Sequence, residues 1–146
     1  MSERVLWIRL YVTGPTPSSG EVVGLRIENR QIHRVLFDAF FRPSAEREWD
    51  MLPTENGVVD LRDRLHISIY ITPIELILSQ ATIIRGDCVE RDLMFLQAAG
   101  IHIEKPVVAR SIQAEHRRRL AQGIAVPAHT QELDCRPIPG ALETIQ

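Results

Sequence analysis

The sequence is poor in the features that identify several large classes of protein. No run of 18 apolar residues occurs, so no membrane-spanning helix is expected. The N-terminus carries Glu3, Arg4 and Arg9 and lacks the apolar stretch of a signal peptide. The formal net charge is only −2, so the chain as a whole presents no strong field to nucleic acid or to an anionic membrane. We therefore expect a cytoplasmic protein with no membrane partner.

Cysteine is also scarce, and it does not form a recognisable pattern. Cys88 and Cys135 lie far apart and form no CxxC motif, so the sequence predicts no disulfide framework. His33, His66 and His102 are scattered without the spacing of metal ligands. The composition is otherwise that of a globular protein, with 45% hydrophobic and 25% charged residues in 146. A single domain spanning residues 1–146 is predicted.

The N-terminal third of the chain is rich in β-forming segments. Val5–Val12 is nearly continuously apolar, and the segments 21–28 and 31–41 follow it after turn-forming residues. Asn29 and Arg30 fit a tight hairpin connection between the second and third segments. A three-strand antiparallel meander is therefore predicted, followed by a polar loop from Pro43 to about Gly57.

The rest of the chain mixes both kinds of element. The segment 67–72 alternates like a strand, and Pro73 fits the first turn of a helix. Residues 82–85 resemble a short buried strand, and a helix is predicted to begin near Asp87 and to end at Gly100. Residues 107–122 indicate another helix. The predicted fold class is α/β, with a mixed sheet of about five strands, the meander plus parallel strands, flanked by helices.

Three stretches carry a resemblance to a known family. LYVTGPTPSSGEVVGLRI (10–27) forms a strand, a glycine-containing turn and a second strand; IIRGDCVERDLMFL (83–96) leads from a strand into a helix; HTQELD (129–134) places His129 five positions before Asp134. Together they resemble the proofreading-type 3′–5′ exonucleases of the DEDD superfamily. The resemblance implies an RNase H-like fold, and it covers roughly residues 5–135. Asn56-Gly57-Val58 also resembles a segment of that family.

The sequence departs from the family where the family binds metal. The family's first strand carries Asp-x-Glu, and counting back from Gly14 those positions hold Arg9 and Tyr11. Two-metal cleavage of a phosphodiester needs divalent ions about 4 Å apart. Mg²⁺ requires oxygen ligands, which a cationic guanidinium cannot supply. The resemblance therefore implies a degenerate member, in which Asp92 and Asp134 are the remaining metal ligands and His129 is the remaining catalytic base.

Each candidate site residue has a second interpretation. Asp92 fits a metal ligand or a first-turn acid favoured by the helix dipole. His129 and Asp134 lie in a proline-rich tail, where such spacing also arises by chance. Arg117, Arg118 and Arg119 fit phosphate contacts or a solvated helix face.

Three functions stay open from the sequence. The first is a degenerate exonuclease-like module that binds single-stranded nucleic acid or a replication or repair protein, with no cofactor. The second is an active Mg²⁺- or Mn²⁺-dependent 3′–5′ exonuclease with a rearranged acid set, in which His129 activates water. The third is a structural protein, for example a homo-oligomer, that uses an edge strand or the apolar loop around residues 49–52 as an interface.

Overall fold

The computed structural model of the chain describes residues 4–44 and 50–103, together with the backbone of residues 108–111. The described strands are β1 (Val5–Val12), β2 (Val22–Asn29), β3 (Arg34–Phe40), β4 (Met51–Thr54), β5 (Gly57–Asp60), β6 (Ile83–Gly86) and β7 (Val108–Ser111). The described helices are a 3₁₀ helix (Ile67–Tyr70), α1 (Ile71–Leu78) and α2 (Val89–Ala98). In this part of the chain no helix is long and apolar enough to cross a membrane.

Five of the strands form one mixed sheet, in the order β3-β2-β1-β6-β7. β1, β2 and β3 pair antiparallel as a meander, whereas β6 pairs parallel with β1 and β7 pairs parallel with β6. Parallel neighbours require a crossover connection, and α1 and α2 occupy the two crossovers. The predicted mixed α/β architecture is confirmed.

The two faces of the sheet differ in character because side chains alternate along each strand. On β1, Leu6, Ile8, Leu10 and Val12 are buried in the main apolar cluster. That cluster also contains buried side chains from both helices: Ile74, Leu78, Val89, Phe95 and Leu96. The intervening β1 residues, Trp7, Arg9 and Tyr11, therefore lie on the opposite face.

A second, small sheet lies against that opposite face. β4 and β5 pair antiparallel as a hairpin, with Thr54 opposite Gly57. Leu52 and Leu61 are fully buried and form a separate apolar cluster with Tyr11 and Val23 of the main sheet. Burial of this cluster fixes the hairpin on the meander and brings the hairpin turn above β1.

Four sequence predictions about elements are corrected. The predicted loop 43–57 contains β4, because the chain folds back on itself at Glu55 and Asn56, and the φ of +114° that Gly57 adopts suits a glycine. The segment 67–72 is helical, not a strand. Its apolar residues continue with Ile74 and Leu78 at helical spacing, so they pack as one stripe. The predicted helix 107–122 begins instead with β7, because pairing with β6 decides its conformation. The β2–β3 turn spans residues 30–33, two residues longer than predicted, and His33 has a φ of 51°.

The ends of the helices follow the sequence in part. Pro73 lies in the first turn of α1, and Gly100 follows α2 with a φ of +95°, both as predicted. The N-cap of α2 is Cys88, whose side chain makes no capping hydrogen bond, so the helix begins one residue after the predicted N-cap position, Asp87. Cys88 takes part in a disulfide, which corrects the view that the cysteines are unlinked.

Replacing Gly24 tests how closely the meander is packed. A Cβ at this position would lie 2.8 Å from Tyr11 Cδ2 and 2.9 Å from Phe40 Cδ1. These two rings contact each other across β2, with their centroids 5.3 Å apart, so neither moves freely. We expect Gly24→Ala to lower the free energy of unfolding by about 1–3 kcal/mol in urea denaturation. Val58→Ala, at a side chain that is 69% exposed, is the control and should change little. Equal stability of the two variants would contradict the packing of these rings around Gly24.

Candidate functional site

A cleft of about 380 Å³ lies on the sheet face that carries Trp7, Arg9 and Tyr11. All three strands of the meander contribute to it, and the hairpin turn and the end of β6 close its rim. The lining residues are mostly polar or aromatic: Trp7, Arg9, Tyr11, Arg26, Glu28, Arg30, Asp38, Phe40, Glu55, Asn56 and Asp87, with Ile8 and Gly86. This cleft is the candidate functional site.

Strand register places the charged residues of the cleft in rows across the sheet. Arg9 of β1 lies opposite Arg26 of β2, and Arg26 lies opposite Asp38 of β3. Two neighbouring arginines repel each other unless acids compensate them. Arg26 forms ion pairs with Asp38 at 3.1 Å and with Glu28 at 3.3 Å. On the floor of the cleft, the positive charge of Arg26 is therefore balanced by two acids.

Glu55 provides the corresponding acid for Arg9. It lies in the turn of the β4–β5 hairpin, and its Oε1 atom is 2.8 Å from Arg9 Nη1. The Tyr11 hydroxyl donates a hydrogen bond of 2.8 Å to the same oxygen. The Arg9 guanidinium also lies over the Tyr11 ring, 5.2 Å from its centroid. We call Arg9, Tyr11 and Glu55 the Arg–Tyr–Glu network.

The network shifts the acidity of its members. Burial and the hydrogen bond to Glu55 raise the pKa of Tyr11 to about 12, although the charge of Arg9 acts in the opposite direction. The pKa of Glu55 is lowered. Partial burial acts against this shift, but hydrogen bonds from its own backbone and from Tyr11 outweigh it, together with the charge of Arg9. Tyr11 is therefore a neutral donor and Glu55 an anion at physiological pH.

Trp7 occupies the other end of the cleft. The guanidinium carbon of Arg30 lies 3.9 Å from the indole centroid, and that of Arg85 lies 4.8 Å from it. Such cation–π contacts hold the arginine planes against the ring. A tryptophan within a strand is expected in the core, but Trp7 is only half-buried and lines the cleft.

The first-strand positions of this cleft do not fit a pair of divalent cations. Arg9 and Tyr11 stand at the positions where the resemblance implies the Asp-x-Glu of the exonucleases. A guanidinium repels a cation, and a phenol with a pKa of about 12 stays protonated. Within residues 4–44 and 50–103, no group of three or more His, Cys, Asp or Glu side chains is arranged to hold a metal. These first-strand residues therefore do not support a catalytic step through a metal.

Asp92, a predicted metal ligand, lies in the first turn of α2 and is 3% exposed. Its Oδ1 atom is 3.0 Å from Arg91 Nη2, and it is not among the residues that line the cleft. Burial raises its pKa to about 6, even though the charge and hydrogen bond of Arg91 act to lower it. The acid is therefore held in an ion pair inside the fold.

The other predicted site residues lie outside the described part of the chain. They are His129, Asp134, Arg117, Arg118 and Arg119. Trp49, a candidate for an apolar interface, also lies outside it, whereas its neighbour Leu52 is fully buried beneath the hairpin.

Sequence reasoning missed Glu55, which is central to the cleft. The residue lies within the predicted polar loop, and nothing in its own type or spacing identifies a site. One signal is present: an Asn-Gly pair, here Asn56-Gly57, is typical of a hairpin turn. A hairpin at that point would indicate that Glu55 lies at its tip.

Comparison of the sequence with models of known protein families gave no match, and comparison with curated proteins gave none. The function of the cleft therefore has to follow from the chemistry of its own residues.

Stability should depend on pH through Asp92. Burial raises the pKa of this carboxyl from 3.8 to about 6, so the folded chain binds its proton more tightly than the unfolded chain does. The resulting stabilisation is fully present below pH 3.8 and is lost as the pH rises through 6. The free energy of unfolding of Asp92→Asn should therefore rise relative to that of the native chain as the pH increases from 4 to 8, by up to about 3 kcal/mol in total. Urea denaturation of both proteins at several pH values measures it. A difference that stays constant with pH would contradict the assignment.

The hydrogen bond between Tyr11 and Glu55 should be visible in a titration. Glu55→Gln removes a negative charge and an anionic acceptor, so we expect the pKa of Tyr11 to fall below its value of about 12. Ultraviolet absorbance of the phenolate after a rapid pH jump measures it, in a Tyr70→Phe background that leaves Tyr11 as the only tyrosine. Glu28→Gln, in the same cleft, is the control. An unchanged Tyr11 titration in Glu55→Gln would show that the contact does not form.

Proposed function

We propose that the chain is a degenerate exonuclease-like domain of RNase H-like fold, and that its cleft binds single-stranded nucleic acid without cutting it. The strand arrangement supports the fold: a three-strand antiparallel meander continues into two strands parallel to β1. This arrangement is the one that the resemblance implies.

The observation that carries the proposal is the Arg–Tyr–Glu network in the cleft. At the positions where the resembling exonucleases hold metal, this chain has a cation and a neutral phenol, joined by one carboxylate at 2.8 Å each. Placing a divalent ion there would require breaking this network and holding the ion beside the positive charge of Arg9. The site therefore favours an anionic ligand over a cationic one.

The chemistry of the remaining cleft residues suits a single-stranded chain. Arg9, Arg26 and Arg30 expose 50%, 41% and 56% of their side chains. Guanidinium groups bind phosphate oxygens bidentately, and those stacked on an aromatic ring also present a flat surface to a base. Trp7 with Arg30 forms such a surface. Acids compensate these arginines in the free protein, so we expect modest affinity that depends strongly on salt.

The alternative of an active exonuclease requires Asp92 to meet Asp134 and His129 around a metal. In the described part of the chain Asp92 is buried against Arg91 and does not line the cleft.

The experiment is a titration of fluorescent single-stranded DNA and RNA by fluorescence anisotropy at several salt concentrations, with the oligonucleotide length checked afterwards in Mn²⁺. We expect salt-sensitive binding and intact product. Arg9→Ala should weaken binding and reduce the salt slope by about 0.7, the value for one phosphate contact on a single strand.

Arg34→Ala is the matched control, since Arg34 is exposed and does not line the cleft. Equal loss in both variants, or no binding by the native chain, would contradict the proposed function. Shortening of the oligonucleotide that disappears in Asp92→Ala would support the exonuclease instead.

A further inference from the structure

We propose that Glu55 is a built-in competitor of the cleft's ligand, a carboxylate that occupies the phosphate site formed by Arg9 and the Tyr11 hydroxyl. This inference rests on the proposed function and specifies how the same cleft is regulated. The ligand class is a phosphodiester of single-stranded nucleic acid.

The geometry of Glu55 is that of a bound anion. Its Oε1 atom accepts from a guanidinium nitrogen and from a phenol, both at 2.8 Å. A phosphate oxygen uses the same two kinds of donor. The Tyr11 ring is held in place by Phe40 and by the apolar cluster beneath the hairpin, so its hydroxyl is a fixed donor. The site therefore exists independently of which anion fills it.

Glu55 can leave this site without unfolding anything. It lies in a two-residue turn, and its side chain is 43% exposed. The turn is held by other groups: Thr54 Oγ1 donates to the Gly57 carbonyl at 2.7 Å and accepts from the Asn56 amide at 3.2 Å. Rotation of the Glu55 side chain alone would free Arg9 and Tyr11 while the hairpin stays in place.

Release of Glu55 also changes the charge of the cleft. In the free protein, Arg26 is compensated by Asp38 and Glu28 on the same sheet, whereas Arg9 pairs with an acid of the separate hairpin. Moving Glu55 away leaves Arg9 opposite Arg26 with one acid fewer nearby. The cleft becomes more positive when the competitor leaves, which favours a polyanion.

Anisotropy titrations with labelled oligothymidine and oligouridine test the inference, using the native chain, Glu55→Gln and Glu28→Gln. Both variants lose one negative charge from the same cleft, but only Glu55→Gln removes the competitor of Arg9. We expect Glu55→Gln to bind about fivefold more tightly than the native chain, which is the upper end of the range for an exposed ion pair, and Glu28→Gln to gain clearly less. The gain should disappear in an Arg9→Gln background.

The outcomes separate this inference from the proposed function. If the native chain binds but Glu55→Gln gains no more than Glu28→Gln, the competitor role is overturned and the proposed function stands. A gain that persists with Arg9→Gln overturns it as well. If neither the native chain nor Glu55→Gln binds either oligonucleotide, both are overturned. The third arm is competition by free inorganic phosphate, compared with chloride at equal ionic strength. Stronger displacement of the oligonucleotide by phosphate supports a site that recognises phosphate itself. Equal displacement by the two anions counts against such a site.

Discussion

The contact of one carboxylate with Arg9 and Tyr11 is the interaction on which the charge balance of the cleft depends. It joins the floor of the cleft, on β1, to its rim, at the turn of the hairpin, through two contacts of 2.8 Å to a single oxygen. Without Glu55, an arginine would face another arginine across the strand pair. With it, the face of the sheet that the helices leave uncovered carries balanced charge.

Apolar packing fixes the positions of the hairpin turn and of Tyr11 in this network. Leu52 and Leu61 bury the base of the hairpin against Tyr11 and Val23, so the hairpin turn is directed at the cleft by apolar contact. Gly24 allows the rings of Tyr11 and Phe40 to approach each other, since a Cβ would lie within 3 Å of both. The polar network is therefore supported by a second apolar cluster, which is separate from the cluster that contains the helices.

Features that depend on neighbouring residues in the chain could be predicted from the sequence, and features that depend on contacts between distant residues could not. Apolar continuity and alternation in residues 5–12 and 22–28 are local, so the meander could be predicted, and Gly100 marks the end of α2 by its own backbone freedom. β7 could not, because pairing with β6 determines it. The resemblance draws attention to Arg9 and Tyr11 only as replacements for metal ligands, and both line the cleft, whereas Asp92, a predicted site residue, does not. Glu55 is more than 40 residues away in the chain, and only the fold brings it to them.

The central proposal is that this cleft takes an anion, whereas the resemblance implies a metal pair for the exonucleases. Diffraction from crystals soaked in Mn²⁺, recorded at a wavelength where manganese scatters anomalously, tests it most directly. We predict no anomalous peak within coordination distance of Arg9, Tyr11 or Glu55, and an intact network. Two manganese peaks about 4 Å apart in the cleft, with Glu55 turned to ligate them, would contradict it.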